Sequence, residues 1–121
     1  MDFDAPALAA RWLEDESAAP ALISDGQRLA LAWALKERAY ATIYADLPTA
    51  ESAAAKVQAL TPEAESMATR VELGAIAAWL GGAVCALKGE SAAAVERLEA
   101  AYTAFEAQGA RQHAAASQVP K

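Results

Sequence analysis

The sequence predicts an all-α fold of antiparallel helical hairpins, and three observations carry that reading. Alanine fills 36 of 121 positions while β-branched residues are sparse, a balance that favours helix over strand. Proline and glycine stand at Pro6, Pro20, Gly26, Pro48, Pro62, Gly89, Gly109 and Pro120, dividing the chain into intervals of helical length. Hydrophobic residues make up 55% and charged ones 21%, which excludes a disordered acidic tail. Alanine methyls bring little apolar area each, so the core has to rely on close helix contacts rather than on large side chains. The length fits one domain.

A first short helix is predicted near Pro6, with Asp4 available as its cap and Leu8, Trp12 and Leu13 on one side. The acidic Glu14-Asp15-Glu16 and a loop over Ser17 to Ser24 follow. Ser24 and Gln27 have capping-box spacing and open a second helix that runs to about Asp46. Its bulky stripe of Leu29, Trp33, Tyr40, Tyr44 and Leu47 reads as the core face. After Pro48 and Thr49, a third helix carries Ala53, Val57 and Leu60. Thr61-Pro62-Glu63 then reads as the start of a fourth, because a hydroxyl cap, a first-turn proline and an acid beside the positive dipole end stand together.

The fourth helix runs to about Leu87 with two unlike faces. One holds Leu73, Ile76, Leu80, Val84 and Leu87, and the other holds Gly74, Ala78, Gly81 or Gly82, and Cys85. Small residues on that second face predict the close approach of an antiparallel neighbour. Lys88-Gly89-Glu90 turns the chain into a fifth helix from Ser91, with Ala94, Val95, Leu98, Ala101, Tyr102 and Phe105 at helical spacing and Gly109 at its end. Ala110 to Ser117 can form a last short helix. The expected organisation is one helical-repeat domain: residues 1–24 as an N-terminal helix and loop, 25–60 and 61–109 as two hairpins, and 110–121 as a C-terminal helix with the start of a further repeat.

A net charge of −6, from sixteen Asp and Glu against ten Lys and Arg, opposes a phosphate backbone, so no nucleic-acid partner is expected. The start Met-Asp-Phe-Asp lacks the pattern of a signal peptide. The uncharged run from Leu73 to Leu87 has 15 residues, short of the roughly 18 of a bilayer span, and reads as a buried core helix with no membrane partner. A lone Cys85 in an apolar run reads as a small buried side chain, and with these features a cytoplasmic location is expected.

No catalytic residue is assigned. One His and one Cys make no metal site, and no Glu stands at Glu-x-x-His spacing from His113. The pairs Glu63 with Glu65 and Glu96 with Glu99 read as helix-start or solvated acids. Gly81-Gly82 lacks the Lys-Ser or Lys-Thr of a phosphate loop. The expectation is a protein that is not an enzyme and needs no cofactor.

Glu51-Ser52-Ala53-Ala54-Ala55 recurs as Glu90-Ser91-Ala92-Ala93-Ala94, 39 residues on, while the apolar phases around it fit 38 or 41 as well. Gly82, Gly89, Ala94, Leu98 and Ala101 have the spacing of small and apolar groups in a tetratricopeptide repeat, which this stretch resembles. Ala41, Tyr44, Ala53, Val57 and Leu60 fit more loosely, with Pro48 in place of the turn glycine and first helices longer than the family norm. Leu29 to Arg38 and the closing Gln118-Val119-Pro120-Lys121 look like the amino-terminal repeats of long bacterial proteins that join tetratricopeptide arrays to a caspase-like CHAT peptidase domain. Over residues 27–121, this resemblance implies a short right-handed solenoid that binds a protein or peptide as a scaffold or adaptor. It also implies an excised module or shortened relative, in which Gln118 to Lys121 open the next repeat. No peptidase Cys/His pair is assigned.

The resemblance aims Leu35, Arg38, Thr42 and Asp46 from one first helix, and Ile76, Trp79, Ala83 and Ala86 from the other, into a concave groove. Arg38 and Trp79 lead that set, since Arg and aromatic side chains supply much interface energy, although Trp79 also reads as core filling between helices, which weighs slightly more. The Lys and Asn pattern with which some of these modules clamp a chaperone tail is missing. Two other readings stand beside the groove. One is a helical-bundle regulatory domain with a pocket for an apolar small ligand beside Trp33 and Tyr40. The other is self-association through the face a missing neighbour would leave uncovered.

Overall fold

Helix α1 (Ala5–Glu14) begins where the Asp4 carboxylate accepts the Ala7 amide at 3.1 Å, with Pro6 in the first turn, where its missing N–H costs nothing. The computed structural model of the chain describes residues 3–108. Among these it has α1, α2 (Asp25–Ala41), α3 (Leu47–Leu60), α4 (Met67–Leu87) and α5 (Ser91–Ala107), and no strand. Short 3₁₀ turns lie at Glu16–Ala18 and Thr61–Glu63. The expected segments Gly109 and Ala110–Ser117 and the closing Gln118–Lys121 lie outside the described residues.

The caps explain most of the boundaries. Ser24 Oγ accepts the Gln27 amide at 3.2 Å, and the Gln27 side chain accepts the Ile23 amide at 3.0 Å, one residue before the position a capping box would use. Helix α2 stops at Ala41, short of Asp46. The Asp46 carboxylate instead caps α3, accepting the Thr49 amide at 3.2 Å and its hydroxyl at 2.6 Å. Gly89, at φ +80°, closes α4 in a Schellman turn: the Glu90 amide donates to Cys85 O at 2.8 Å and the Gly89 amide to Ala86 O at 3.2 Å.

Thr61-Pro62-Glu63 does not open the fourth helix. Thr61 ends α3 instead, in helical conformation, and its hydroxyl donates back to Val57 O at 3.3 Å. Helix α4 starts one turn later under Ser66, whose Oγ accepts the Thr69 amide at 3.1 Å. The deciding contact comes from α2: Asp25 accepts the Glu65 and Ser66 amides, each at 2.9 Å, and also the Arg28 guanidinium at 2.8 Å. A carboxylate on amides that a helix start leaves open is the favourable polarity.

Sequence-adjacent helices pack on one another, α2 also packs on α4, and α5 lies chiefly on α4. Helix α4 is therefore central, with twelve buried residues. It is long and apolar enough to cross a bilayer, yet 61% of its most apolar window is buried by the other helices. Its small face divides. Gly74 is open to solvent, whereas a Cβ on Gly82 would come within 2.9 Å of two Leu98 side-chain carbons and 3.2 Å of the Leu98 nitrogen. Leu98, Ala101 and Phe105 of α5 close over this contact, all but fully buried. The Gln108 side chain donates to Ala68 O at 2.8 Å, tying the end of α5 to the start of α4.

The core of α2 is not the bulky stripe. Leu31, Leu35, Ala39 and Ile43 are buried, whereas Trp33 and Tyr40 are half-buried and Tyr44 is exposed. Buried positions recur 41 residues apart: Ala32 with Leu73, Leu35 with Ile76, Ala39 with Leu80, Ile43 with Val84, Ala53 with Ala94, Val57 with Leu98, and Leu60 with Ala101. The identical pentapeptides, 39 apart, fall out of register, since Ala53 is buried but Ala92 exposed. The two hairpins thus share one burial pattern, longer than the roughly 34 residues of a tetratricopeptide repeat.

Two outcomes test this packing. Gly82→Leu should destabilise the fold by roughly 1–3 kcal/mol through overpacking against Leu98, measured by urea denaturation. Hydrogen bonds from the Glu65 and Ser66 amides and Arg28 hold the Asp25 carboxyl well below its usual range, against the opposing effect of desolvation. A depressed carboxyl stabilises the fold above its ordinary pKa and stops doing so as acid protonates it. Asp25→Asn should therefore lower the melting temperature at pH 7, with the gap to the parent shrinking below about pH 4.

Candidate functional site

Two sides of helix α2 each lead to a distinct site. The first is a cleft of about 570 Å³ against α1 and the start of α3. Pro6 and Leu13 of α1 and Ala34 and Ala41 of α2 supply apolar surface, while Glu14, Glu37, Arg38, Thr42, Asp46 and Thr49 supply the polar lining. Arg38 is exposed and makes no hydrogen bond or ion pair with a described residue. Asp46 is committed to its cap and Glu37 accepts the Lys36 ammonium at 3.2 Å, so Glu14 and Arg38 are the cleft charges unpaired among the described residues, with the Glu37 carboxylate still 74% exposed.

Behind this cleft, Lys56 of α3 lies with its stem buried and its Nζ 5.5 Å from the centre of the Trp12 ring. The ammonium donates to the exposed Glu16 carboxylate and, at 2.7 Å, to Ser52 Oγ. This contact pins the segment after α1 onto α3.

The second side of α2 meets α4 and α5 through aromatic rings. Trp79 lies edge-on to Trp33 at 6.1 Å and to Phe105 at 6.0 Å, Phe105 stacks on Trp33 at 5.9 Å, and Tyr40 tilts against Trp79 at 5.7 Å. Trp33 Nε1 donates to Glu72 at 2.9 Å. Lys36 Nζ sits among the rings, 4.1 Å from the Trp79 centroid, 5.1 Å from Tyr40 and 5.8 Å from Trp33. Tyr40 Oη and Trp79 Nε1 are buried close together without reaching hydrogen-bond geometry. Burial pushes the Tyr40 phenol up to about 12.

The eight predicted groove residues divide accordingly. Arg38, Thr42 and Asp46 line the cleft. Leu35, Ile76, Trp79 and Ala83 are buried in the core, so they line no open groove. Ala86 is exposed beside Tyr44 and Leu87, at a recess of about 30 Å³. The place expected to hold an apolar ligand, beside Trp33 and Tyr40, holds the Lys36 ammonium instead. No protein family, curated protein or solved structure matches this chain.

A third recess of about 320 Å³ lies where α3, α4 and α5 meet, with Glu51, Lys88, Glu90 and Arg97 at its edge and Cys85 in its wall. Desolvation raises the Cys85 thiol, which suits a packed side chain rather than a nucleophile. No group of three His, Cys, Asp or Glu among the described residues is arranged to hold a metal.

The sequence reading placed Leu13 on the first helix and Glu14 just after it, and gave none of Lys36, Glu72, Glu14 and Leu13 a part in a site. Trp33, Lys36 and Tyr40 stand at i, i+3 and i+7, which puts a cation between two rings on one helix face and was legible. Trp79 and Glu72 join them only through the packing of α4 on α2. Because the Tyr40 hydroxyl is buried without a hydrogen bond, Tyr40→Phe should leave stability level or raise it by up to about 1 kcal/mol, read by urea denaturation.

Proposed function

We propose that this chain is a non-enzymatic helical repeat module that binds an extended basic and apolar protein segment in the cleft between α1, α2 and α3. The cleft itself carries the reading: about 570 Å³, an apolar floor, and the exposed carboxylates of Glu14 and Glu37, the second shared with Lys36, against the single opposing charge of Arg38. Apolar side chains of a partner would gain burial on Leu13, Ala34 and Ala41, while Glu14 and Glu37 favour Lys or Arg beside them. The net charge of −6 works in the same direction at longer range. The 41-residue burial pattern supports a duplicated hairpin, and a tetratricopeptide-like solenoid is the arrangement we infer from it.

The test uses two labelled ten-residue peptides, one alternating Lys and Leu and the other alternating Glu and Leu, read by fluorescence anisotropy. The basic peptide should bind and the acidic one should not. The pair Glu14→Lys and Glu37→Lys should weaken binding at least tenfold, whereas Arg38→Glu, which removes the one opposing charge, should strengthen it with the melting temperature nearly unchanged. Equal binding of both peptides, or indifference to these substitutions, would place recognition elsewhere.

A further inference from the structure

We propose that Trp33, Tyr40 and Trp79 form a receptor for a quaternary ammonium group, and that Lys36 is its built-in occupant, displaced when the ligand binds. The rings lie on a different side of α2 from the peptide cleft and the proposal does not depend on that reading, although Glu37, the partner of Lys36, also lines the cleft. Its first support is geometric. The Lys36 ammonium stands within 6 Å of three ring centroids, nearest to Trp79 at 4.1 Å, the arrangement in which ring faces attract a cation.

The walls are braced independently of the lysine. Trp33 is held by its bond to Glu72 and by the stacked Phe105, and Trp79 is held edge-on against the same Phe105. Removing the Lys36 side chain would leave these contacts in place. Lys36 is largely covered, its side chain 13% exposed, but its ion pair is with Glu37 at 3.2 Å, a carboxylate 74% exposed and therefore a weak anchor. Its unbranched stem can rotate to solvent without moving the α2 backbone.

The edges of the rings supply a second, independent observation. Tyr40 Oη and Trp79 Nε1 are both buried without a hydrogen bond, and Trp79 is 4% exposed. The two atoms lie close together yet fall short of a bond to each other or to any described group, a feature that gathers where a site serves another purpose. Here the rings offer faces to a cation at the expense of their polar edges.

The chemistry also ranks the occupants. A primary ammonium is strongly hydrated and loses that hydration among rings, whereas a trimethylammonium group spreads its charge over methyls and is recognised by aromatic faces. Glu37 and Glu72 beside the box add negative potential that a neutral apolar ligand would not use.

Choline and its neutral isostere 3,3-dimethylbutan-1-ol are the probes, titrated against intrinsic tryptophan fluorescence. Lys36→Ser, with a circular-dichroism spectrum like the parent's, should bind choline at least tenfold more tightly than the parent and at least tenfold more tightly than it binds the isostere. Adding Tyr40→Ala should abolish that preference. In the parent protein, which needs no substitution, saturating choline should increase acetylation of Lys36 by an activated acetate ester, read by mass spectrometry. Choline binding no tighter in Lys36→Ser, equal binding of the isostere, or unchanged Lys36 acetylation would each overturn the proposal.

Discussion

The approach of α5 to α4 at Gly82 governs how the rest of the molecule comes together. No side chain fits between Gly82 and Leu98, so α5 lies closer to α4 than helices bearing larger residues at the crossing can. Phe105, seven positions beyond Leu98 and so on the same face of α5, is thereby carried into contact with both Trp79 and Trp33. A missing side chain in the central helix thus determines whether three helices share an aromatic cluster. In an alanine-rich chain, with few large groups to spend on the core, such close contacts do the work that bulk would otherwise do.

Electrostatics then tie the two hairpins at one end. Asp25 sits in the first turn of α2 but directs its carboxylate to the amides at the start of α4, while Arg28 balances it and lies 3.8 Å from Glu65. One acid therefore satisfies the exposed amides of a distant helix and orients its own neighbour. Lys56 plays a comparable part between α1 and α3, binding the segment after α1 to α3. The cleft side of α2 lies apart from these ties, whereas the aromatic side also joins α2 to α4 and α5.

Much of this was legible in particular residues. Asp4, Ser24 and Gly89 announced their helix ends because a cap or a positive-φ turn acts over a few residues. Gly82 and Cys85 were legible as a close-packed face, and four of the six stripe positions of α5, Ala94, Leu98, Ala101 and Phe105, are buried, while Val95 is exposed and Tyr102 half-buried. The cleft was half legible, through Arg38, Thr42 and Asp46. Trp33, Tyr40 and Tyr44 misled, because size marks a residue as core only when a partner is present to cover it. Trp33 and Tyr40 do meet Trp79 of α4, but that contact covers each ring only in part, and Tyr44 is left exposed.

The sequence by itself determined the helical class, the turns at the helix ends, and the small-residue seam of α4, since each rests on interactions between near neighbours. The tertiary structure alone decided that α4 begins at Met67 rather than at Thr61, that the hairpins keep register at 41 residues rather than 39, and that a lysine stands in an aromatic box. The reason is distance along the chain. Asp25 acts on amides some 40 positions away, and Trp79 reaches Lys36 only after α4 has packed on α2. Local preference leaves two adequate helix starts, and only the atoms of the other hairpin choose between them.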